Sequence, residues 1–169
     1  MHVRVQLRYA ADPSAVAAML ADAGYARARV EASGAAVEQA DVTGDPDGAF
    51  TVTTRRSVPT DQIPAQARSF VGSTLEVRQV EAWEAPEGDA PRLGTVVVEI
   101  SGVPVRLTGT VTLAADGAAG AGDSTLTYDG DLKASIPLFA SAVENAAAGA
   151  VRSALEAEQD AGARWLAGH

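Results

Sequence analysis

The sequence predicts a single α+β domain, in which a curved antiparallel sheet of about seven strands packs against one long C-terminal helix. From residue 35 to residue 134 the chain is a succession of alternating polar and apolar segments separated by turn residues, a pattern typical of antiparallel strands. From Ser135 onward the pattern becomes helical. A single helix after a run of strands must bury its apolar side against the sheet. The 169 residues, 47% of them hydrophobic, suffice for one domain with a substantial core.

The first elements are a strand and two short helices. Polar and apolar residues alternate over residues 3–9, which predicts a strand with one exposed face. Asp12 suits the N-cap position and Pro13 the first helical position, so the first helix begins here, and Gly24 is predicted to end it. A second short helix is predicted for residues 25–32, before Ser33 and Gly34.

The middle of the chain predicts further strands. A polar turn at residues 45–48 joins the first two into a hairpin. Residues 63–71 predict one or two helical turns, ended by Gly72, and the Gly/Ala-rich residues 116–123 predict a loop. The predicted strands are 35–43, 50–58, 74–85, 92–101, 103–114 and 124–134.

The last helix is predicted from Ser135 to about Leu166, a length of ~45 Å, with a candidate kink at Gly149. Aromatic residues make up only 5% of the chain, and most positions of the helix that should face the sheet are alanine. These side chains are too short to fill the concave side of a strongly curved sheet. Either the helix packs very close to the sheet, or a cavity remains between them. The predicted inward positions are Phe139, Val143, Ala146, Ala147, Ala150, Val151 and Ala154.

Composition excludes several classes of function. The chain has no cysteine, which excludes disulfides, thiolate nucleophiles and Cys-ligated metals. A net charge of −9 with scattered basic residues argues against nucleic acid and against anionic membrane surfaces as partners. No stretch approaches the ~20 apolar residues that cross a bilayer, and the N-terminal alternation indicates a strand and not a signal peptide. We therefore expect a cytoplasmic monomer or homodimer without stable membrane insertion, metal or cofactor.

A few polar residues are candidates for chemistry. The two histidines, His2 and His169, lie at the ends of the chain, which argues against a His-based site. Arg55 and Arg56 must face opposite sides of their strand. If Arg56 faces inward, it either holds a carboxylate or phenolate of a ligand, or lies at the rim and pairs with a neighbouring acid.

Three further polar residues lie within predicted strands. Glu81 or Glu99, if turned toward an apolar cavity, would have a raised pKa and could act as a general acid, whereas on the outer face it would be a solvated charge. Tyr128 either orients a ligand through its hydroxyl or is a plain core residue.

Several strings resemble the START-like superfamily, also described as the SRPBCC or polyketide cyclase and lipid-transport group. Within it the chain resembles a bacterial domain-of-unknown-function family, number 2505. The resemblance covers nearly the full length and implies a helix-grip fold with an apolar cavity between the sheet and the last helix. Members of the superfamily include lipid carriers, hormone receptors, ring hydroxylase subunits and aromatase/cyclases, so the fold does not define the function. The strings are Phe50-Thr51-Val52-Thr53-Thr54-Arg55-Arg56, Phe70-Val71-Gly72, Glu76-Val77-Arg78-Gln79 with Trp83, Gly130-Asp131-Leu132-Lys133-Ala134-Ser135-Ile136-Pro137-Leu138 and Arg164-Trp165-Leu166.

The sequence thus favours a protein that binds a small hydrophobic ligand, such as a lipid, an isoprenoid or a polyketide-like compound. One alternative is a cyclase or dehydratase in which Glu99, Arg56 or Tyr128 moves a proton, and another is a protein-interaction scaffold with a filled core. Each assignment depends on which alternating set of a strand faces the helix. The predicted lining residues are Phe50, Val52, Arg56, Leu75, Val77, Val97, Leu107, Tyr128, Val143 and Ala147.

Overall fold

The computed structural model describes residues 1–63, 65–69, 71–117 and 122–168. Within these residues, seven strands and four helices form an α+β fold, which confirms the predicted fold class and the two short helices after the first strand. The elements are β1 (His2–Tyr9), α1 (Pro13–Leu20), α2 (Ala23–Ala32), β2 (Ala36–Gly44), β3 (Phe50–Pro59), the short α3 (Ala65–Arg68) after a 3-10 turn (Thr60–Gln62), β4 (Thr74–Trp83), β5 (Arg92–Ile100), β6 (Val105–Ala115), β7 (Ser124–Ala134) and α4 (Ala140–Gly168).

The strands form a single antiparallel sheet in the order β1-β7-β6-β5-β4-β3-β2. All neighbours except β1 and β7 are consecutive in sequence, so most of the sheet is a meander of hairpins. The predicted turn at residues 45–48 does join β2 to β3. β1 lies beside β7, with Val5 opposite Tyr128, and this pairing places the start of the chain next to the last strand before α4.

The helices α1, α2 and α4 cover the inner face of the sheet. α4 makes its main contacts with β1, β7 and α2, whereas α2 packs on β2 and β3. The two helices therefore cover opposite halves of the sheet, and the inner faces of the central strands β4 and β5 lie below the line where the two helices meet. Fully buried core residues include Leu7, Val16, Leu20, Tyr25, Val52, Val111, Leu113 and Leu126.

The boundary between α1 and α2 differs from the prediction. Asp12 caps α1 as expected, because its side chain accepts a hydrogen bond from the Ala15 amide at 2.9 Å. α1 already ends at Leu20, and Asp22, not Gly24, forms the boundary. The Asp22 carboxylate accepts from the Gly24 amide at 2.7 Å and so starts α2 at Ala23.

α4 begins five residues later than predicted. Ser135 still continues the sheet, since its amide donates to the Pro104 carbonyl at 2.9 Å. Leu138 then adopts a left-handed backbone with φ of 68°, which a helix cannot contain. Phe139 precedes α4 and Ala150 is exposed, so neither is an inward helical position, whereas the other five predicted positions are half-buried. The buried residues of α4 are Ala148, Leu155, Glu158, Ala161 and Gly162.

Parts of three predicted segments lie outside the described residues: Pro64 and Phe70 of the helical turns, residues 118–121 of the Gly/Ala-rich loop, and the terminal His169. None of the described helices is both long enough and apolar enough to cross a membrane.

Candidate functional site

A small cavity lies between the inner face of the sheet, from β3 to β7 with Val3 of β1, the middle of α4 and the end of α2. Its volume is about 40 Å³. One water needs ~10–15 Å³ of such space, so the cavity has the size of a few water molecules. The lining residues are Val3, Arg29, Ser33, Arg56, Gln79, Val96, Val98, Leu107, Tyr128, Asp129, Gly130, Val151, Ala154, Leu155 and Glu158.

A buried ionic cluster lies at this cavity and joins three elements. Nη1 of Arg29, from α2, lies 2.9 Å from Oε1 of Glu158 in α4 and 3.1 Å from Oε1 of Glu81 in β4. The three side chains are 4%, 8% and 0% exposed. Water is therefore almost absent around them, and the arginine is the cation that compensates both carboxylates.

Hydrogen bonds extend this cluster to the other side of the cavity. The Tyr128 hydroxyl lies 3.2 Å from Oε1 of Glu81 and 3.3 Å from Oε1 of Glu158. Nε2 of Gln79 donates to Oε1 of Glu81 at 2.6 Å, and Oε1 of Gln79 accepts from Nη2 of Arg56 at 3.3 Å. A continuous polar chain thus runs from Arg56 to Glu158.

Burial shifts the proton affinities of this cluster. Burial raises the pKa of Glu158, although the Arg29 guanidinium opposes the shift. Burial also raises the pKa of the Tyr128 hydroxyl well above its usual range, and Glu158 and Glu81 add to that effect. Burial lowers the pKa of Arg29, but the nearby acids, Glu158 first, outweigh it and raise that pKa well above the usual range. Arg29 therefore stays charged, while the Glu158 carboxyl is a group that can take up or release a proton inside the domain.

Two buried polar atoms of the cluster have no hydrogen-bond partner within the described ranges: Nη2 of Arg29 and Oε2 of Glu81. Since buried polar atoms are nearly always satisfied, these two mark the place where the site has unused hydrogen-bonding capacity. In the described part of the chain, no three His, Asp or Glu side chains are grouped so that they could hold a metal ion.

A family model with the description "Protein of unknown function (DUF2505)" matches residues 4–166. The chain belongs to this family. No curated protein matches the sequence.

Several solved structures are similar to the DUF2505 chain in fold. The Zhui aromatase/cyclase from a Streptomyces species is 14% identical, with 98% of this chain and 93% of that chain covered and a TM-score of 0.60. A STAR-related lipid transfer protein from Xanthomonas axonopodis is 20% identical, with 96% and 84% covered and a TM-score of 0.59. Norcoclaurine synthase from Thalictrum flavum is 15% identical, with 95% and 84% covered and a TM-score of 0.53. At this identity the similarity shows the fold alone, which is the helix-grip fold of the START-like superfamily.

Of the ten lining residues predicted from the sequence, Arg56, Leu107 and Tyr128 line the cavity of the DUF2505 chain. Six others lie on the inner side of the sheet or on α4, but away from the cavity. Phe50 is a core residue, stacked on Trp83 at 6.0 Å between ring centroids, with the Arg92 guanidinium over its ring. The remaining five are Val52, buried in the core, Leu75 and Val77 on the inner face of β4, and Val143 and Ala147, half-buried on α4.

Val97 lies on the outer face, so its predicted position was wrong. Its register partners are Val80 and Thr108 on the outer face, while Val96 and Val98 line the cavity. The segment Val96-Val97-Val98 is apolar at both alternating positions, and periodicity therefore could not decide which set faces inward.

Glu99 also lies outside. Its carboxylate pairs with Arg106 at 3.1 Å and with Arg78 at 3.9 Å on the outer face of the sheet. Glu81 is the acid that faces inward. Arg56 faces inward. Its hydrogen-bond partner is the neutral Gln79 and not an acid, which differs from the expectation that it pairs with an acid at the rim.

Sequence analysis missed Arg29 and Glu158. Each lies on the buried stripe of its helix: Arg29 with Tyr25 and Ala26, and Glu158 with Leu155 and Ala161. A charged residue at the i+3 or i+4 spacing of an apolar stripe is the signal that could have found both.

Proposed function

We propose that the protein binds a small hydrophobic molecule between the sheet and α4, with the polar group of the ligand toward Arg29 and Glu158. The observation that supports this is an apolar surface that continues from the cavity but is only half-buried. On β5, Ile100 continues the inner face beyond Val98, and on α4, Ala147 and Val143 continue the face of Val151. A ligand that covered this surface would remove it from water, which stabilises the complex by ~25 cal/mol per Å² of apolar area.

The proposal requires the cavity to widen. Its volume of about 40 Å³ is far below the ~300–1,000 Å³ of ordinary ligand sites. The N-terminal half of α4 is the element that can move at the lowest cost. Its one buried residue is Ala148, and its other side chains are half-buried or exposed, whereas the C-terminal half carries the buried Leu155, Glu158, Ala161 and Gly162. Displacement of the N-terminal half would break the hydrogen bond from the Ala134 amide to Glu144, which measures 3.0 Å. We infer that ligand entry displaces the first half of α4 while the second half stays docked.

Two neighbouring valines provide a matched test. Val98 lines the cavity and Val97 lies on the opposite face, and both are half-buried. Val98→Phe should fill the cavity, whereas Val97→Phe should leave it unchanged. Titration with phenylnaphthylamine, a neutral fluorescent apolar probe, should give the same Kd for the wild type and Val97→Phe, and a Kd at least about tenfold higher for Val98→Phe.

Melting temperatures of both variants would show that each is folded. If the wild type takes up no probe, the interior is a filled core and the binding proposal is wrong. If both phenylalanine variants weaken binding equally, the probe binds elsewhere.

A cyclase or dehydratase activity is the second candidate, because a carboxyl group with a raised pKa faces the cavity beside a tyrosine hydroxyl. Glu158 could then remove or deliver a proton at a carbon next to a carbonyl group. The wild type, but not Glu158→Gln, should accelerate deuterium exchange at the central carbon of a β-ketoester, as measured by mass spectrometry. Equal exchange with and without protein would reject this activity.

A further inference from the structure

The positively charged side chains at the cavity have hydrogen-bond donors that are not used. Nη1 of Arg29 serves both carboxylates, while Nη2 of the same guanidinium, which is buried, has no partner within the described residues. Arg29 lines the cavity. A buried guanidinium nitrogen without an acceptor is costly, so this atom requires an acceptor that the described part of the chain does not supply.

Arg56 supplies a second guanidinium to the same cavity from β3. It makes one hydrogen bond, to the neutral Gln79, and no ion pair with any described residue. Burial and the proximity of Arg29 both lower its pKa, which reflects a cation held in an interior that lacks a direct counter-ion.

Most acceptors of the cluster are used. Oε2 of Glu81 has no partner within the described residues, but Glu81 does not line the cavity. Oε1 of Glu81 already accepts from Arg29 and Gln79, and Oε1 of Glu158 accepts from Arg29. The single hydroxyl hydrogen of Tyr128 is shared between these two oxygens. A ligand ammonium group would supply no acceptor to Nη2 of Arg29 and would add a cation beside Arg56, whose only hydrogen-bond partner in the described part of the chain is the neutral Gln79. A carboxylate instead brings two acceptor oxygens and a negative charge, which matches the geometry of guanidinium donors.

We propose that the hydrophobic ligand is a carboxylic acid whose carboxylate is bound by Arg29 and Arg56. This inference rests on the proposed function and adds the chemical class of the ligand. The hydrocarbon part then lies along the half-buried apolar surface of β5 and α4, and the carboxylate lies at the ionic cluster.

The test compares molecules that differ only in their polar group. A saturated fatty acid and the alcohol, methyl ester and amine of the same chain length each displace phenylnaphthylamine at neutral pH. The wild type should bind the acid about 10- to 100-fold more tightly than the alcohol or the ester, since hydrogen bonds to charged groups contribute that much.

The adjacent arginines provide the variant and its control. Arg56→Gln should remove most of the preference for the acid and leave the affinity for the alcohol unchanged. Arg55→Gln should keep the preference, because Arg55 is exposed on the other face, 3.8 Å from Glu76. The difference between acid and alcohol in each variant isolates the carboxylate interaction from any effect on the fold.

The outcomes separate the two proposals. Equal binding of acid, alcohol and ester by the wild type would overturn the carboxylate inference while hydrophobic binding stands. A preference for the acid that survives Arg56→Gln would overturn the role of Arg56. Absence of any binding, of the probe as well as of its competitors, would overturn the proposed function and the inference with it.

Discussion

Gly162 of α4 lies close against two buried tyrosines. A Cβ atom at this position would lie 2.6 Å from Cε1 of Tyr9 and 3.0 Å from the Tyr25 hydroxyl. Both tyrosines are buried, at 2% and 0% exposure, so neither ring can move aside freely. Gly149, on the exposed side of the same helix, has nothing within 4 Å of the equivalent position.

The two glycines allow the cost of this contact to be measured. Replacement of glycine by alanine inside a helix stabilises it by ~1 kcal/mol, and this gain applies at both positions. Overpacking of a rigid core costs ~1–3 kcal/mol, and this cost applies at Gly162 only. Gly149→Ala should therefore raise the free energy of unfolding by about 1 kcal/mol. The free energy of unfolding of Gly162→Ala should be about 1–3 kcal/mol lower than that of Gly149→Ala.

Urea unfolding followed by tryptophan fluorescence measures both values, since Trp165 lies in α4 and packs edge-on against Tyr25. The fluorescence of Gly162→Ala should also shift if α4 lifts from the tyrosines. If both alanine variants stabilise the protein equally, α4 does not dock through Gly162, and the packing of α4 on Tyr9 and Tyr25 is wrong.

Two further predictions concern the ionic cluster. Arg29→Met should lower the free energy of unfolding by about 3–5 kcal/mol, because it leaves two buried carboxylates without their cation. Arg27→Met, at an exposed position of α2, should change it by less than about 0.5 kcal/mol. A similarly small effect of both substitutions in urea unfolding would contradict the cluster. Glu158→Gln should alter the pH dependence of stability. Since burial raises the Glu158 pKa above its ordinary value of 4.5, the native state holds this proton more tightly than the unfolded state does. That stabilisation is complete below about pH 4.5 and is lost as the pH rises through the pKa of Glu158 in the native state. Wild-type stability should therefore fall relative to the glutamine variant across this range, and a difference independent of pH would refute the raised pKa.

The sequence pattern was sufficient for the fold because local signals agree with the sheet. Strands such as β4 alternate clearly, with Val77 and Gln79 inside and Glu76 and Arg78 outside, and turn residues separate them. Alternation does not identify the inward-facing residues where both alternating sets of a strand are apolar, as around Val97. There the inward set is decided by register with β4 and β6, which depends on residues distant in the sequence.

The site was harder to predict than the fold, because its polar residues come from five elements: α2, β3, β4, β7 and α4. Arg29, Glu81 and Glu158 are separated by 52 and more residues along the chain, and only the packing of α2 and α4 over the sheet brings them together. The start of α4 was missed for a local reason. Leu138 adopts a backbone conformation that favours glycine, and its side chain gives no sign of it.

Native mass spectrometry of the protein purified from its own host tests the central claim most directly. The account predicts a stoichiometric adduct that extraction identifies as a small hydrophobic carboxylic acid, present in the wild type and reduced in Val98→Phe. A protein that carries no bound compound and takes up no phenylnaphthylamine would contradict it, and would show that the space between the sheet and α4 is a filled core.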